Sequence, residues 1–277
     1  EYKIYALSSR PLELKERIGD SKILFLDKNA FAENNSGELL SDAIVVNCAY
    51  PRNVLSTAIA SGLRYIQQLF SFSAENGARA IINISSQSVY SSHRAEAASE
   101  ETNVCLDSIY AVGKYATELM LEAACRKSET NYVNIRMASL IGPNFDQRIV
   151  NRFVKSALET RKIKVVDSPQ KFGFFDIEDA VNGLCTLIAS NSENWNAVYN
   201  LGRCECYTLR DIAEKVAAVI KNKCGKDTLI FYEMGSDNSS SELNAALFMK
   251  SFDYCPRISM QESIERITDS YLKNSIS

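Results

Sequence analysis

Tyr110 and Lys114 stand four residues apart in the run Ser108-Ile109-Tyr110-Ala111-Val112-Gly113-Lys114. On a helix, positions i and i+4 share one face. An ammonium beside a phenol favours the phenolate. The tyrosine pKa is therefore expected to fall from its usual ~10, making the pair a general acid/base near neutral pH. Upstream, Ser85-Ser86-Gln87-Ser88-Val89-Tyr90 follows an apolar run that ends at Ile84. Hydroxyls at the carboxyl end of a strand can hold a substrate oxygen. Alone, Tyr-x-x-x-Lys is also what an ordinary half-buried helix carries by chance. Other polar groups read as bland. His93, the only histidine, falls in the polar loop 91–101 as a solvated or lid residue. Glu96, Glu100 and Glu101 read as a solvated loop, and Trp195 as packing near a turn.

The chemistry needs elements that fix strand ends. Residues 2–7 and 22–26 are short β-rich runs, and 43–48 is continuously apolar, as a strand buried on both faces should be. Helical spacing runs over 53–75 through Leu55, Ile59, Leu63, Ile66 and Phe70. Residues 80–84 read as a fourth strand, 108–127 as a helix and 132–136 as a fifth strand. This alternation implies parallel βαβ crossovers and a doubly wound sheet. Beyond Pro143 the spacing predicts helices over 149–159, 177–189, 208–221 and 259–272, the last capped by Ser259. Strands are expected over 163–166, 197–201 and 228–232. Residues 235–241 read as a surface loop. Ligands of doubly wound sheets bind at the carboxyl ends of strands. That rule selects the chain after Leu7, Cys48, Ile84 and Arg136.

The composition is that of an ordinary soluble globular chain: 277 residues, 46% hydrophobic, 23% charged, net charge −3. This balance speaks against a non-specific nucleic-acid binder, and no apolar run is long enough for a membrane span. The eight cysteines are scattered, some in apolar periodic segments (Cys125, Cys185), and read as free thiols of a cytoplasmic protein. Cys204 and Cys206 are the nearest pair, with His93 far off in sequence, so no metal site is expected. The chain opens at Glu1 without a methionine, which leaves room for an unseen start and an unseen targeting segment.

The serine run, Tyr110 and Lys114, a strand, and then Arg136-Met137-Ala138-Ser139-Leu140-Ile141-Gly142-Pro143 stand in an order that resembles the extended short-chain dehydrogenase/reductase family, the NAD-dependent epimerase/dehydratase group. Phe175-Asp176-Ile177-Glu178-Asp179-Ala180, Tyr199-Asn200-Leu201-Gly202 and Tyr254-Cys255-Pro256 carry the resemblance nearly end to end. It implies an α/β fold. A doubly wound parallel Rossmann-type sheet would bind a dinucleotide (1–138 with 172–202), and a smaller C-terminal α/β subdomain would bind substrate (139–171 with 203–277).

The resemblance also implies an NAD(P)-dependent sugar or nucleotide-sugar epimerase or reductase. Ser86 would hydrogen-bond the reacting hydroxyl or carbonyl, and Tyr110 would move its proton. Lys114 would support Tyr110 and bind the nicotinamide ribose. Gln87, Ser88 and Lys171 would join Ser86 and Tyr110 as substrate contacts. Asn47, Cys48, Ala49, Ile84 and Tyr110 would line the cofactor, and Asp27 and Lys28 would flank its adenine. Met137 and the backbone of Ser139 and Leu140 would approach the nicotinamide. A homodimer is implied through helices 53–75 and 108–127, with Tyr115, Leu119 and Ala123 on one helical face.

Departures from the family pattern set further expectations. The Gly-rich turn that seats a pyrophosphate on a helix N-terminus should precede Tyr2, because residues 2–7 resemble the family's second strand. The first strand, turn and helix are therefore expected to be missing, and the chain as written to bind a dinucleotide poorly. Nucleotide-sugar members carry an arginine near Phe172. Here Lys171 would substitute as a point charge without a fork. The first run ends Leu7-Ser8-Ser9-Arg10, with no acid for a ribose 2′-hydroxyl. Ser8 and Arg10 are then cofactor contacts, and Arg10 with a 2′-phosphate favours NADP over NAD. The family's 4,6-dehydratases carry Asp-Glu where Gln87-Ser88 stands. Amide and hydroxyl cannot supply that acid/base pair, so dehydration is disfavoured and epimerisation or carbonyl reduction remains. The alternative is a cofactor-binding regulator or scaffold on the same fold without turnover. Such proteins usually lose the Tyr/Lys pair, which stands here.

Overall fold

The computed structural model describes residues 2–32, 36–51, 56–94 and 96–274. In chain order the elements are β1 (Ile4–Ser8), α1 (Pro11–Ile18), β2 (Ile23–Asp27), α2 (Ser36–Leu40), β3 (Ile44–Asn47), α3 (Ser56–Glu75), β4 (Ala80–Ser86), α4 (Ile109–Cys125) and β5 (Asn131–Met137). There follow β6 (Ser139–Ile141), α5 (Ile149–Thr160), β7 (Lys162–Asp167), β8 (Phe174–Asp176), α6 (Ile177–Ala189), β9 (Val198–Leu201), α7 (Leu209–Cys224), β10 (Leu229–Met234), α8 (Ala246–Phe252) and α9 (Met260–Asn274). The chain divides into two compact units: Glu1–Asn83 with Ala116–Tyr132, and Ile84–Tyr115 with Val133–Ser277.

In the first unit β1 pairs in parallel with β2, Ile4 opposite Ile23 through Ser8 opposite Asp27. The crossover is α1, which begins on Pro11, where a missing N–H costs nothing, and stops at Gly19 with φ 67°. β3 pairs in parallel with β4, Ile44 opposite Ala80 through Asn47 opposite Asn83. Among the described residues β1 and β3 each have one strand partner. The helix expected over 53–75 is described from Ser56, its first residues lying outside the described ones. Its Ile66, Phe70 and Ala74 pack on Ile81 of β4 and on Leu121 and Cys125 of α4. Truncating a fully buried phenylalanine such as Phe70 costs about 3–5 kcal/mol. The expected two-face burial of 43–48 fails at Val46. Val45 packs into the cores on one face, while alternation puts Val46 on the other, 38% exposed.

In the second unit β5 pairs with β9, β6 with β8 and β7 with β10, all in parallel. Helices α5, α7 and α9 bury stripes at helical spacing, among them Val150, Phe153, Val154 and Ala157, over Ile163 and Val165 of β7. Helices α7 and α9 start on side-chain caps. Thr208 and Asp211 form a capping box at α7, and Ser259 and Glu262 exchange equivalent bonds at α9. Gly202 closes β9 against Ala138, where an added Cβ would come within 2.8 Å of the Ala138 methyl. Among the described residues no helix is long and apolar enough to cross a membrane.

Several elements have no counterpart in the sequence reading: α1, α2, α8 and the β6/β8 pair. None exceeds eight residues, too short for periodicity to register. Residues 235–241 are not simply a surface loop, because Ser239 and Ser240 are buried and Ser240 bridges to Lys171.

Candidate active site

β4 delivers Ser86 in extended conformation, and Ser86 caps the short 3-10 turn Gln87–Val89. Its Oγ accepts from Ser88 N at 3.2 Å and from Ser88 Oγ at 3.0 Å. Both bonds use Ser86 as acceptor, so its O–H is the group that can donate to a ligand oxygen. Gln87 Nε2 donates to Ser139 Oγ at 2.9 Å, while Gln87 Oε1 is buried with no partner. A hydroxyl can donate or accept. Either orientation of the amide therefore leaves one buried end for a ligand, and leaving it unmet costs about 1–3 kcal/mol.

The first turns of α4 supply the other two groups. Ser108 Oγ accepts from Ala111 N at 3.1 Å and caps the helix. Tyr110 is 41% exposed, whereas Lys114 is 6% exposed on the buried stripe of the helix. Lys114 Nζ donates to the Ile84 carbonyl at 2.8 Å and lies 6.0 Å from the Tyr110 ring centroid. That bond fastens the start of α4 to the end of β4. Ser86 ends β4 two residues after Ile84, and Tyr110 and Lys114 both lie on α4.

A buried network supports this segment, and the sequence reading assigned it no role. Tyr90 Oη donates to Asn200 Oδ1 at 2.9 Å and accepts from Arg136 Nη1 at 2.9 Å. Asn200 Nδ2 donates to the carbonyls of Ala98 and Asn244, and Asn200 N donates to Glu100 Oε1 at 2.6 Å. Glu100 is thus not part of a solvated loop. It is a half-buried anchor whose carboxyl is pushed up by desolvation, partly offset by hydrogen bonds and by Arg136. The signal in the sequence was Arg136 inside an apolar strand, since a buried cation requires partners.

The remaining predicted residues lie at other strand ends. In the second unit Met137 and Ser139 flank Ala138 at the end of β5, and Leu140 follows. Lys171 bridges to Ser240 and its Nζ lies 3.9 Å from the Glu242 carboxylate. In the first unit Ser8 Oγ accepts from Arg10 N, and Arg10 pairs with Glu13 at 2.8 Å on the surface. Asp27 Oδ1 accepts from Asn29 N, and the Lys28 carbonyl accepts from Tyr65 Oη at 3.0 Å. Asn47 is buried between Asn83 and Ala49 N, while Cys48 and Ala49 are exposed. Among the described residues no cluster of His, Cys, Asp and Glu could hold a metal ion.

The model of the NAD dependent epimerase/dehydratase family matches residues 28–202, well over half of the chain. The chain belongs to that family. Solved structures carry the same fold over nearly the whole chain. A UDP-glucuronic acid 4-epimerase from Bacillus cereus, in complex with UDP-glucuronic acid and NAD, superposes with a TM-score of 0.82 at 18% identity, over 99% of this chain and 92% of that one. An NAD dependent NDP-hexosamine 5,6-dehydratase involved in tunicamycin biosynthesis gives 0.78 at 18% identity, over 98% and 89%. RMD from Pseudomonas aeruginosa, complexed with NADPH, gives 0.74 at 17% identity, over 99% and 100%. None of the curated proteins compared with the chain matches it. Like these family structures, the chain is a Rossmann-type α/β protein built on parallel strands.

Proposed function

We propose that the chain is an epimerase of sugar nucleotides, with carbonyl reduction as the second half of the same chemistry, run alone on a carbonyl substrate with reduced cofactor. The observation that carries this is the Lys114–Ile84 bond, which holds Tyr110 and Lys114 beside the end of β4 where Ser86 stands. A bound NAD(P) supplies the hydride exchange. Ser86 donates its O–H to the reacting oxygen. Tyr110 takes the proton as the carbinol becomes a carbonyl and returns it as the carbinol re-forms. The Lys114 ammonium stabilises negative charge that develops on the phenol. The buried, unpaired end of Gln87 beside Ser139 fits a polar group of substrate or nicotinamide, and Ser88 is a further substrate contact. Because Gln87 and Ser88 cannot trade protons near neutral pH, elimination of water is disfavoured.

Ile84, Met137, Ser139 and Leu140 would hold the nicotinamide end of the cofactor, and Ser8, Arg10, Asp27, Lys28, Asn47, Cys48 and Ala49 the adenosine end. NAD is the simpler choice for a member of this family. Arg10 keeps NADP in the reading, although a 2′-phosphate would have to draw the guanidinium away from Glu13. What supports a substrate-binding part in 139–171 with 203–277 is the core shared by α5, α7 and α9. A cytoplasmic homodimer remains part of the proposal. Leu119, 50% exposed on α4, is the apolar residue that a dimer would cover. The test is incubation with NAD or NADP and UDP-glucuronic acid or UDP-N-acetylglucosamine, followed by proton NMR. The 4-epimer is expected. Binding of cofactor and sugar nucleotide with no conversion would leave the chain a binding protein and overturn the reading.

A further inference from the structure

We propose that Asn83 and Thr117 are positioning residues for the cofactor, acting through Asn47 on the turn after β3; this rests on the proposed role of that turn as a cofactor contact. β4 begins Ala80-Ile81-Ile82-Asn83-Ile84, an apolar strand with one amide in it. Asn83 is buried, and so are Asn47 and Thr117. Buried amides are costly unless their donors and acceptors are met. The parallel register sets Asn47 opposite Asn83. Asn47 Nδ2 donates to Asn83 Oδ1 at 3.0 Å, and Asn83 Nδ2 donates to Thr117 Oγ1 of α4 at 3.0 Å. At the other end Asn47 Oδ1 accepts from Ala49 N at 3.1 Å. One continuous series of hydrogen bonds therefore runs from α4 through β4 and β3 to the backbone of an exposed turn.

The series has a fixed direction. A backbone N–H can only donate, so Ala49 obliges Asn47 to present its oxygen there. Asn47 then offers its NH2 to Asn83, which must answer with its own oxygen and turn its NH2 to residue 117. A hydroxyl at 117 can accept that bond and close the series. Reversing either amide alone sets two donors or two acceptors face to face, and reversing both sets an NH2 against the Ala49 N–H. Loss of the acceptor at buried Thr117 is therefore felt at exposed Ala49. Such coupled polar groups specify one arrangement of what they hold. An apolar residue at 83 would satisfy the core, as Ile81 does on the same face, so the amide serves the turn. Packing grips the turn at its far end. An added Cβ on Gly62 of α3 would meet the Pro51 ring at 2.8 Å, so glycine there admits the proline. Cys48 and Ala49 lie exposed between the two grips. A turn shaped in advance lowers the ordering cost of binding a ligand.

The test compares NADH affinity, by fluorescence titration, in the unmodified chain and in Thr117→Val, Thr117→Ser, Gly62→Ala and Thr268→Val. Valine keeps the shape of threonine and removes the acceptor, whereas serine keeps the acceptor. Thr268 is another buried helical threonine, bonded to Ile264 O within α9, and controls for the loss of a hydroxyl outside the series. Thr117→Val should weaken NADH binding by about fivefold, the effect of one neutral hydrogen bond. Thr117→Ser should stay within about twofold of the parent, and Thr268→Val should not differ from it. The cofactor KM should rise in Thr117→Val while kcat at saturation changes by less than about twofold. Hydrogen exchange at the Ala49 amide, read by NMR, should be slow in the parent and in Thr117→Ser and fast in Thr117→Val. Gly62→Ala favours the helix while pressing on Pro51, so it will fold even if Thr117→Val does not, and it too should weaken NADH binding. Unchanged NADH affinity in Thr117→Val or Gly62→Ala, equal weakening in Thr268→Val, or fast exchange at Ala49 in the parent overturns the inference and leaves the epimerase reading standing. A parent that binds no NADH overturns both. Binding that responds as expected without turnover counts against the epimerase reading alone.

Discussion

The strand ends of the two units are held by different kinds of bond. Around β4 and β5 the contacts join distant parts of the chain. Lys114 reaches Ile84, Gln87 reaches Ser139, and Tyr90 reaches both Arg136 and Asn200. At the ends of β1 and β2 the partners are mostly neighbours: Ser8 with Arg10, Asp27 with Asn29, Arg10 with Glu13. Long-range buried bonds fix side chains to a few tenths of an ångström, which proton and hydride transfer require. Local, exposed turns cost little to rearrange and suit groups that close around a ligand.

The largest effect that can break this contrast is on catalysis. Tyr110→Phe keeps the ring and removes the proton carrier, so turnover of the sugar nucleotide should fall by about 10² or more. NADH affinity in a fluorescence titration should stay within about twofold, because Tyr110 is proposed to act on the proton and not to anchor the cofactor. Unchanged turnover would remove Tyr110 from the mechanism. Next comes the network behind it. Tyr90→Phe strands Asn200 Oδ1 in the interior and removes one partner of Arg136, and should cost about 2–3 kcal/mol in chemical denaturation. The matched change in the other unit, Asp27→Asn, should cost less than about 0.5 kcal/mol. Equal losses would mean that the two regions do not differ as described.

The same contrast explains what was legible in the sequence. Long elements were found within a few residues because a strand such as Ala80–Ser86 or a helix such as Ile177–Ala189 carries its own pattern. That Lys114 would reach the end of β4 was readable, because β4 and α4 follow one another along the chain. The Tyr90–Asn200 bond was not, since 110 residues separate the partners and neither residue type announces a contact. Glu100 misled for the same reason. A glutamate in a polar run looks solvated until a remote asparagine N–H claims it.

Glu100 gives a smaller and signed test. The groups facing it are Asn200 N, its own N–H, Arg136, Glu101 and Tyr90. Burial outweighs the attraction of Arg136, so the folded carboxyl lies above its ordinary value. Such a group adds stability that is full below the unfolded pKa of ~4.3 and is lost as pH rises through the folded value. At neutral pH the ionised form is therefore a net burden. Glu100→Gln keeps an acceptor for Asn200 N–H, so at pH 7 it should melt at or above the parent. The difference should vanish on acidification below about pH 4. A parent that is more stable at pH 7 would mean that the Arg136 attraction dominates.

The smallest effect is on the exposed side. Arg10→Ala breaks a surface ion pair and should change stability by less than about 0.5 kcal/mol. Its value lies in cofactor choice. If Arg10 reads a 2′-phosphate, it must first leave Glu13, so Glu13 competes with the ligand. Glu13→Gln should then raise NADPH affinity and Arg10→Ala lower it, each by roughly two- to fivefold, with NADH unmoved. Local pairing makes the contact both weak and switchable, unlike the buried bond of Lys114. If neither variant changes the ratio of NADPH to NADH affinity, Arg10 is an ordinary surface residue and the case for NADP goes with it.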